Sequence, residues 1–313
     1  MRKIGRGFVP LSKLGLMAGV MVLSLQGPTV LAQQATSAHA ASEDAANEEK
    51  GQPVALENPH LELRGHLVQG AMVVGKTEPG NRIVFDGDEI PVGENGYFVI
   101  GFAREAKSEH PLEVITTTGE RAHYPLQVAS REFNIQRIDG LPQQTVTPDP
   151  EAQARVRREN QQIAEARQVR SDMTYFAGPY AWPASGRISG VYGSQRILNG
   201  EPRAPHWGLD IAAPTGTPVH APVNGVVVLA HPDMLMSGGT LIVDHGHGVF
   251  SNFLHLHRID VEVGDYVAQG DKIAEIGATG RATGPHLDWR MNWGSMRVDP
   301  QLLLPPRDDQ AAD

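Results

Sequence analysis

The sequence predicts a mainly β protein with a single connecting helix. Three observations carry this. Short β-branched and aromatic runs alternate with turn dipeptides over residues 58–140. Glycine and proline, 34 and 23 in all, punctuate similar runs from about 176 to 305. Between these regions only one stretch, 149–173, has helical spacing.

The first segment stands outside either fold. Arg2, Lys3, Arg6 and Lys13 form a basic start, Leu14 to Leu25 an apolar run, and Val30-Leu31-Ala32 a small-residue end. Residues 1–32 therefore read as a cleavable secretory signal, since the apolar run falls short of the ~20 residues a membrane span needs. The mature chain is expected in the periplasm or cell envelope, with no stable span after cleavage. Residues 33–57 are polar and acidic, carrying Glu43, Asp44, Glu48 and Glu49. They are expected to form a disordered tether.

Residues 58–140 are expected to make a small β-sandwich, immunoglobulin-like, of about seven strands. Leu61 to Leu67 alternates apolar and polar residues, Pro79-Gly80 marks a turn, and Arg82 to Phe85 reads as a strand. Asp86-Gly87 and Asn95-Gly96 read as hairpin turns, because Gly and Asn tolerate positive φ. Tyr97–Phe102, Leu112–Thr116, His123–Val128 and Phe133–Ile138 supply further strands. Its histidines are scattered and form no catalytic pattern, so its expected role is a spacer or a docking module for other envelope proteins.

Residues 141–175 read as a linker and helix, with Asp149 as cap and Pro150 in the first turn. Residues 176–305 read as an all-β domain with strands at 225–229, 240–243, 249–256, 261–263, 272–276 and 287–291. Gly-Asp turns stand at 264–265 and 270–271. Residues 306–313 read as a disordered tail.

Composition narrows the function. The chain has 313 residues and a formal charge of −9, and the basic groups of the signal segment make the remainder more acidic still. No basic patch offers itself to nucleic acid. There is no cysteine, which excludes disulfides, thiolate metal sites and a lipid-modified cysteine.

Eight of the thirteen histidines fall between residues 206 and 286. His206 and Asp210 are four apart, and His286 and Asp288 two apart. On strands both spacings share a face. Zinc accepts imidazole nitrogen and carboxylate oxygen, and a catalytic zinc keeps a position open for water. His255, at the end of an apolar run, is a further candidate base. Spacing alone leaves a metal site and hydrogen-bonded strand residues as two open readings.

The stretches HWGLDIAAPTGTPVHAPVNGVV, DHGHGVFSNFLHL and VGDYVAQGDKIAEIGATGRATGPHL occur in order between about Gly190 and Trp293. This series resembles the lysostaphin-type, or LytM-like, zinc endopeptidases. The resemblance implies a two-sheet antiparallel β fold related to a duplicated lipoyl-barrel motif, with one Zn²⁺ per chain. It also implies hydrolysis of amide bonds in peptidoglycan. By position His206 and Asp210 match the first two metal ligands, and His255 and His286 the two catalytic histidines that are not ligands.

One position departs. The family motif His-x-His reads His286-Leu287-Asp288 here, so Asp288 is expected to replace the third ligand. Two carboxylates and Zn²⁺ sum to zero rather than to a single positive charge, which implies a weaker Lewis acid. Arg196 and Asn199, in a loop entering the site, are candidate substrate-binding residues. His220, His231, His245, His247 and His257 are expected to be structural or on the rim. Two other readings stand beside the enzyme. One is a degenerate relative that activates or scaffolds other wall hydrolases. The other is a lipoyl-type carrier, for which Lys272 lacks the modified-lysine setting.

Overall fold

The structure, a computed structural model, describes residues 53–58, 60–139 and 149–307. The predicted signal, most of the tether, part of the linker and residues 308–313 lie outside the described residues. Among those described, no helix is long and apolar enough to cross a membrane.

The N-terminal lobe holds two four-stranded antiparallel sheets. One joins Pro53–Asn58, Leu61–His66, Met72–Lys76 and Tyr97–Gly101; the other joins Asp88–Ile90, Arg82–Phe85, Glu109–Ile115 and Arg121–Gln127. Residues 53–58 thus form an edge strand where a tether was expected, paired in register with Leu61–His66. Asp86-Gly87 is a tight hairpin turn with both φ angles positive, 51° and 94°. Asn95-Gly96 is not such a hairpin. The strands it separates belong to different sheets, so the chain crosses the sandwich there. Ile135–Ile138 also departs from expectation. It leaves the sandwich and pairs in parallel with Gln195–Leu198 of the C-terminal lobe.

The helix Pro150–Ala166 is shorter than expected. Asp149 caps it through the Glu151 amide, and Arg167 ends it. Its one buried residue is Glu159, whose carboxylate accepts from Arg155 at 2.6 Å and from the Leu235 amide at 2.9 Å. The helix is therefore fastened to the sheet by charge-assisted hydrogen bonds.

The C-terminal lobe is built on an antiparallel sheet whose central strand is Val249–Ile259. Its first eight residues are buried, as expected of a strand covered on both faces. This strand changes neighbours along its length. Residues 249–254 pair with His286–Trp293, and 256–259 with Lys272–Ile276. The handover falls at His255, whose φ of 63° turns the backbone out of the sheet. Residues 261–263, expected as a strand, lie outside any strand, and Gly264 takes the positive φ of a turn. Arg307, in the expected tail, stacks on Trp182 at 3.9 Å.

The lobes share apolar packing. Met72 and Val99 of the first enter the core of the second, while Leu302 enters the core of the first. Trp293 touches both, and Arg131 ties them by pairing with the buried Asp299 at 2.9 Å.

Candidate metal and catalytic centre

Three side chains converge, two from neighbouring strands and one from a loop. Asp210 on Leu209–Ala212 lies directly opposite Asp288 on His286–Trp293, so both carboxylates share one face. His206 reaches them from the loop before the strand, not from the strand itself as its spacing suggested. Its Nε2 lies 3.1 Å from Asp210 Oδ1. One ligand atom from each of His206, Asp210 and Asp288 lies within 4.8 Å of the others.

Glycines make room for this. A Cβ on Gly208 would stand 2.5 Å from Asp288 Oδ1, and one on Gly190 would stand 2.3 Å from Asp210 Oδ2. Any side chain at either position fills the cradle.

The atoms fit a cation. His206 Nε2 and Asp210 Oδ1 are buried, and although close they are not aligned as donor and acceptor; neither has a hydrogen bond among the described residues. Buried polar atoms without partners are costly unless something else satisfies them. A divalent ion would satisfy both atoms, and imidazole nitrogen with carboxylate oxygen suits zinc. Burial pushes the His206 pKa down, but the adjoining Asp210 and Asp288 outweigh it and leave it raised.

The two remaining histidines form a pair, with ring centroids 4.8 Å apart. His255 Nδ1 is 2.8 Å from the Thr279 carbonyl, and His286 Nδ1 is 2.8 Å from the Gly284 carbonyl. A carbonyl only accepts, so each Nδ1 carries the proton and each Nε2 is left as a base. Burial holds the His255 pKa below its ordinary value, which keeps the ring neutral.

Arg196 and Asn199 do not join this convergence. Arg196 is exposed on a strand of a small three-stranded sheet. Asn199 and Gly200, with φ of 50° and 81°, form the hairpin turn between Gln195–Leu198 and Glu201–Pro202. His245 is structural, bonded to the Asn224 carbonyl at 2.7 Å and to Ser251 Oγ at 2.8 Å.

Residues 204–300 match the family model described as Peptidase family M23. A crystal structure described as an M23 peptidase from Pseudomonas aeruginosa is 31% identical, with a TM-score of 0.57; the match covers 79% of this chain and 96% of that one. The chain belongs to peptidase family M23. Curated relatives include the peptidoglycan DD-endopeptidase ShyA of Vibrio cholerae, 40% identical over 108 residues, and ShyB of the same organism, 43% identical over 97. Those matches cover 34% and 30% of this chain but only 24% and 22% of the relatives.

Within this M23 domain the sequence reading missed Arg290. Its Nε lies 2.9 Å from Asp288 Oδ1, and its Nη2 lies 2.5 Å from Asp288 Oδ2. Burial alone would raise the Asp288 pKa, but the Arg290 charge and hydrogen bonds hold it below the usual carboxylate value. Oδ2 also accepts from Nε at 3.0 Å, whereas Oδ1 accepts from Nε alone and keeps a second lone pair, so the ion pair is compatible with a metal bond through Oδ1. The signal was present in the sequence: residues 288 and 290 are two apart on a strand and share a face. Arg290 also changes the charge count. Asp288 with Arg290 is neutral, as a histidine would be, so a zinc-loaded site carries a single positive charge rather than none.

Proposed function

We propose that this chain is a zinc-dependent endopeptidase that hydrolyses amide bonds in the peptide stems or cross-links of peptidoglycan in the cell envelope. The observation that carries the reading is the convergence of His206, Asp210 and Asp288 beside the His255–His286 pair. Family membership and the names of the ShyA and ShyB relatives support the substrate class.

In this reading His206, Asp210 and Asp288 hold the metal. When bound, zinc supplies Lewis acidity toward the scissile carbonyl and lowers the pKa of water. His255 takes a proton from the attacking water at its bare Nε2, with the ring aimed by its Nδ1–H bond to Thr279. His286, fixed in the same way by Gly284, donates toward the developing oxyanion once protonated. The amide C–N bond breaks, water's oxygen stays on the new carboxylate, and the amine leaves with a proton.

Digestion of purified sacculi tests this. Zinc-loaded full chain is expected to release peptides with new amine and carboxyl ends, read by mass spectrometry. His206→Ala and chelator-treated protein are expected to release none. A chain that binds no zinc and releases nothing would instead favour the degenerate activator or scaffold.

A further inference from the structure

A cavity of about 500 Å³ adjoins the centre and shares His255 and Arg290 with it. Arg167, Arg281 and Arg297 also line it, so four guanidinium groups surround one space. Arg290 has Asp288. The other three have no carboxylate within ion-pair distance among the described residues. Arg167 instead donates through Nε, at 3.1 Å, and through Nη2 to Asn252 Oδ1. Arg297 donates to Asn292 Oδ1 at 2.6 Å, and Asn252 Nδ2 donates to the same oxygen at 3.0 Å.

Two cations therefore lean on a pair of buried, neutral amides. Holding half-buried charge without countercharge is unfavourable. Burial, with repulsion from Arg297 and Arg290, lowers the Arg167 pKa to about 9; burial, with repulsion from Arg290 only partly offset by Asp288 and Tyr192, lowers the Arg297 pKa to about 10. A purely structural tie between helix end and sheet would not need three such groups around one opening, least of all in a chain of net charge −9. What the arrangement lacks is an anion. The guanidinium fork matches a carboxylate in shape and donor spacing.

We propose that this cavity is a subsite that binds a carboxylate of the peptide substrate. The identity of the ligand rests on the peptidase reading. Because His255 and Arg290 belong to both spaces, the bound carboxylate lies next to the bond being cut, and the subsite selects anionic peptides over amidated ones.

The test uses the full chain and two cross-linked muropeptides, one with free carboxylates and one with the same carboxylates amidated. Calorimetric titration of the zinc-free protein measures binding without turnover. Steady-state assays of the zinc-loaded protein separate KM from kcat. Wild type is expected to bind the free-carboxylate peptide about tenfold more tightly, as loss of a charge-assisted bidentate contact implies. Arg167→Gln and Arg297→Gln are expected to lose that preference, with the change in KM. Equal binding of both peptides by wild type overturns the proposal. So does a preference that survives in the two variants at wild-type melting temperature. Should those variants fail to fold, Arg281→Gln on the exposed rim decides: an undiminished preference overturns the subsite. A chain that prefers the free-carboxylate peptide yet cleaves neither leaves the subsite standing and overturns the peptidase reading. Equal cleavage and binding of both does the reverse.

Discussion

Arg290 holds Asp288 through two nitrogens, Nε at 2.9 Å from one carboxylate oxygen and Nη2 at 2.5 Å from the other. Asp288 lies opposite Asp210 on the neighbouring strand, and Arg290 balances its charge, so that in the proposed site Asp288 would count as a neutral ligand. The charge deficit expected from two carboxylates is thus removed by the residue two places further along the strand.

Asp288→Ala is expected to abolish zinc binding, measured as metal content of the purified protein. It also leaves the half-buried Arg290 without its partner, a further loss of stability. With Arg290→Met and the double variant it completes a thermodynamic cycle, in which a coupling of roughly 1–3 kcal/mol is expected from chemical denaturation. Retained zinc in Asp288→Ala would remove Asp288 from the ligand set.

Gly208→Ala places a methyl group 2.5 Å from Asp288 Oδ1, with the Trp289 carbonyl at 2.7 Å on another side. Overpacking of this kind costs about 1–3 kcal/mol. A lower melting temperature is expected, together with weaker zinc binding by titration. A variant that melts and binds as wild type would mean that the strand shifts freely at this point.

His255 occupies a left-handed backbone conformation, φ 63°, that costs a non-glycine residue roughly 1–2 kcal/mol. His255→Gly is therefore expected to be more stable than His255→Ala. Both should lose roughly 10²–10⁴-fold in kcat if His255 is the general base. Equal stability of the two would show that the strain is not felt.

The buried His245, with its pKa lowered to about 4 by desolvation, gives a pH dependence. Its ordinary value is near 6.5, so below that pH the unfolded chain takes up a proton that the folded chain refuses. The stability tied to His245 is complete above about pH 6.5 and is lost as pH falls toward 4. Urea melts of wild type and His245→Gln should show a gap that narrows over this window. A gap independent of pH would contradict the buried neutral ring.

Much of this was legible in the sequence because it is local. The Asp86-Gly87 hairpin follows from two residues that tolerate positive φ, and the Asp149-Pro150 helix start from cap chemistry. His206, Asp210, His286 and Asp288 stood out by type and spacing. Asn95-Gly96 misled because a turn dipeptide states that the chain reverses, not which sheet receives it. Residues 53–58 carry little strand signal of their own and are fixed by pairing with Leu61–His66. Arg290 could have been found from its spacing to Asp288. The grouping of Arg167 with Arg297 could not, since 130 residues separate them and only the helix end meeting the sheet brings them together.

The apolar packing common to both lobes bears on how the chain can be divided or inherited. A fragment starting near residue 149 would present Trp293 and Leu302 to water and strand the Asp299 carboxylate without Arg131. Such a piece would be prone to aggregate unless that surface were redesigned. For the same reason a lobe exchanged with another protein would arrive with the wrong complementary face, so changes on one side of the seam must be matched on the other.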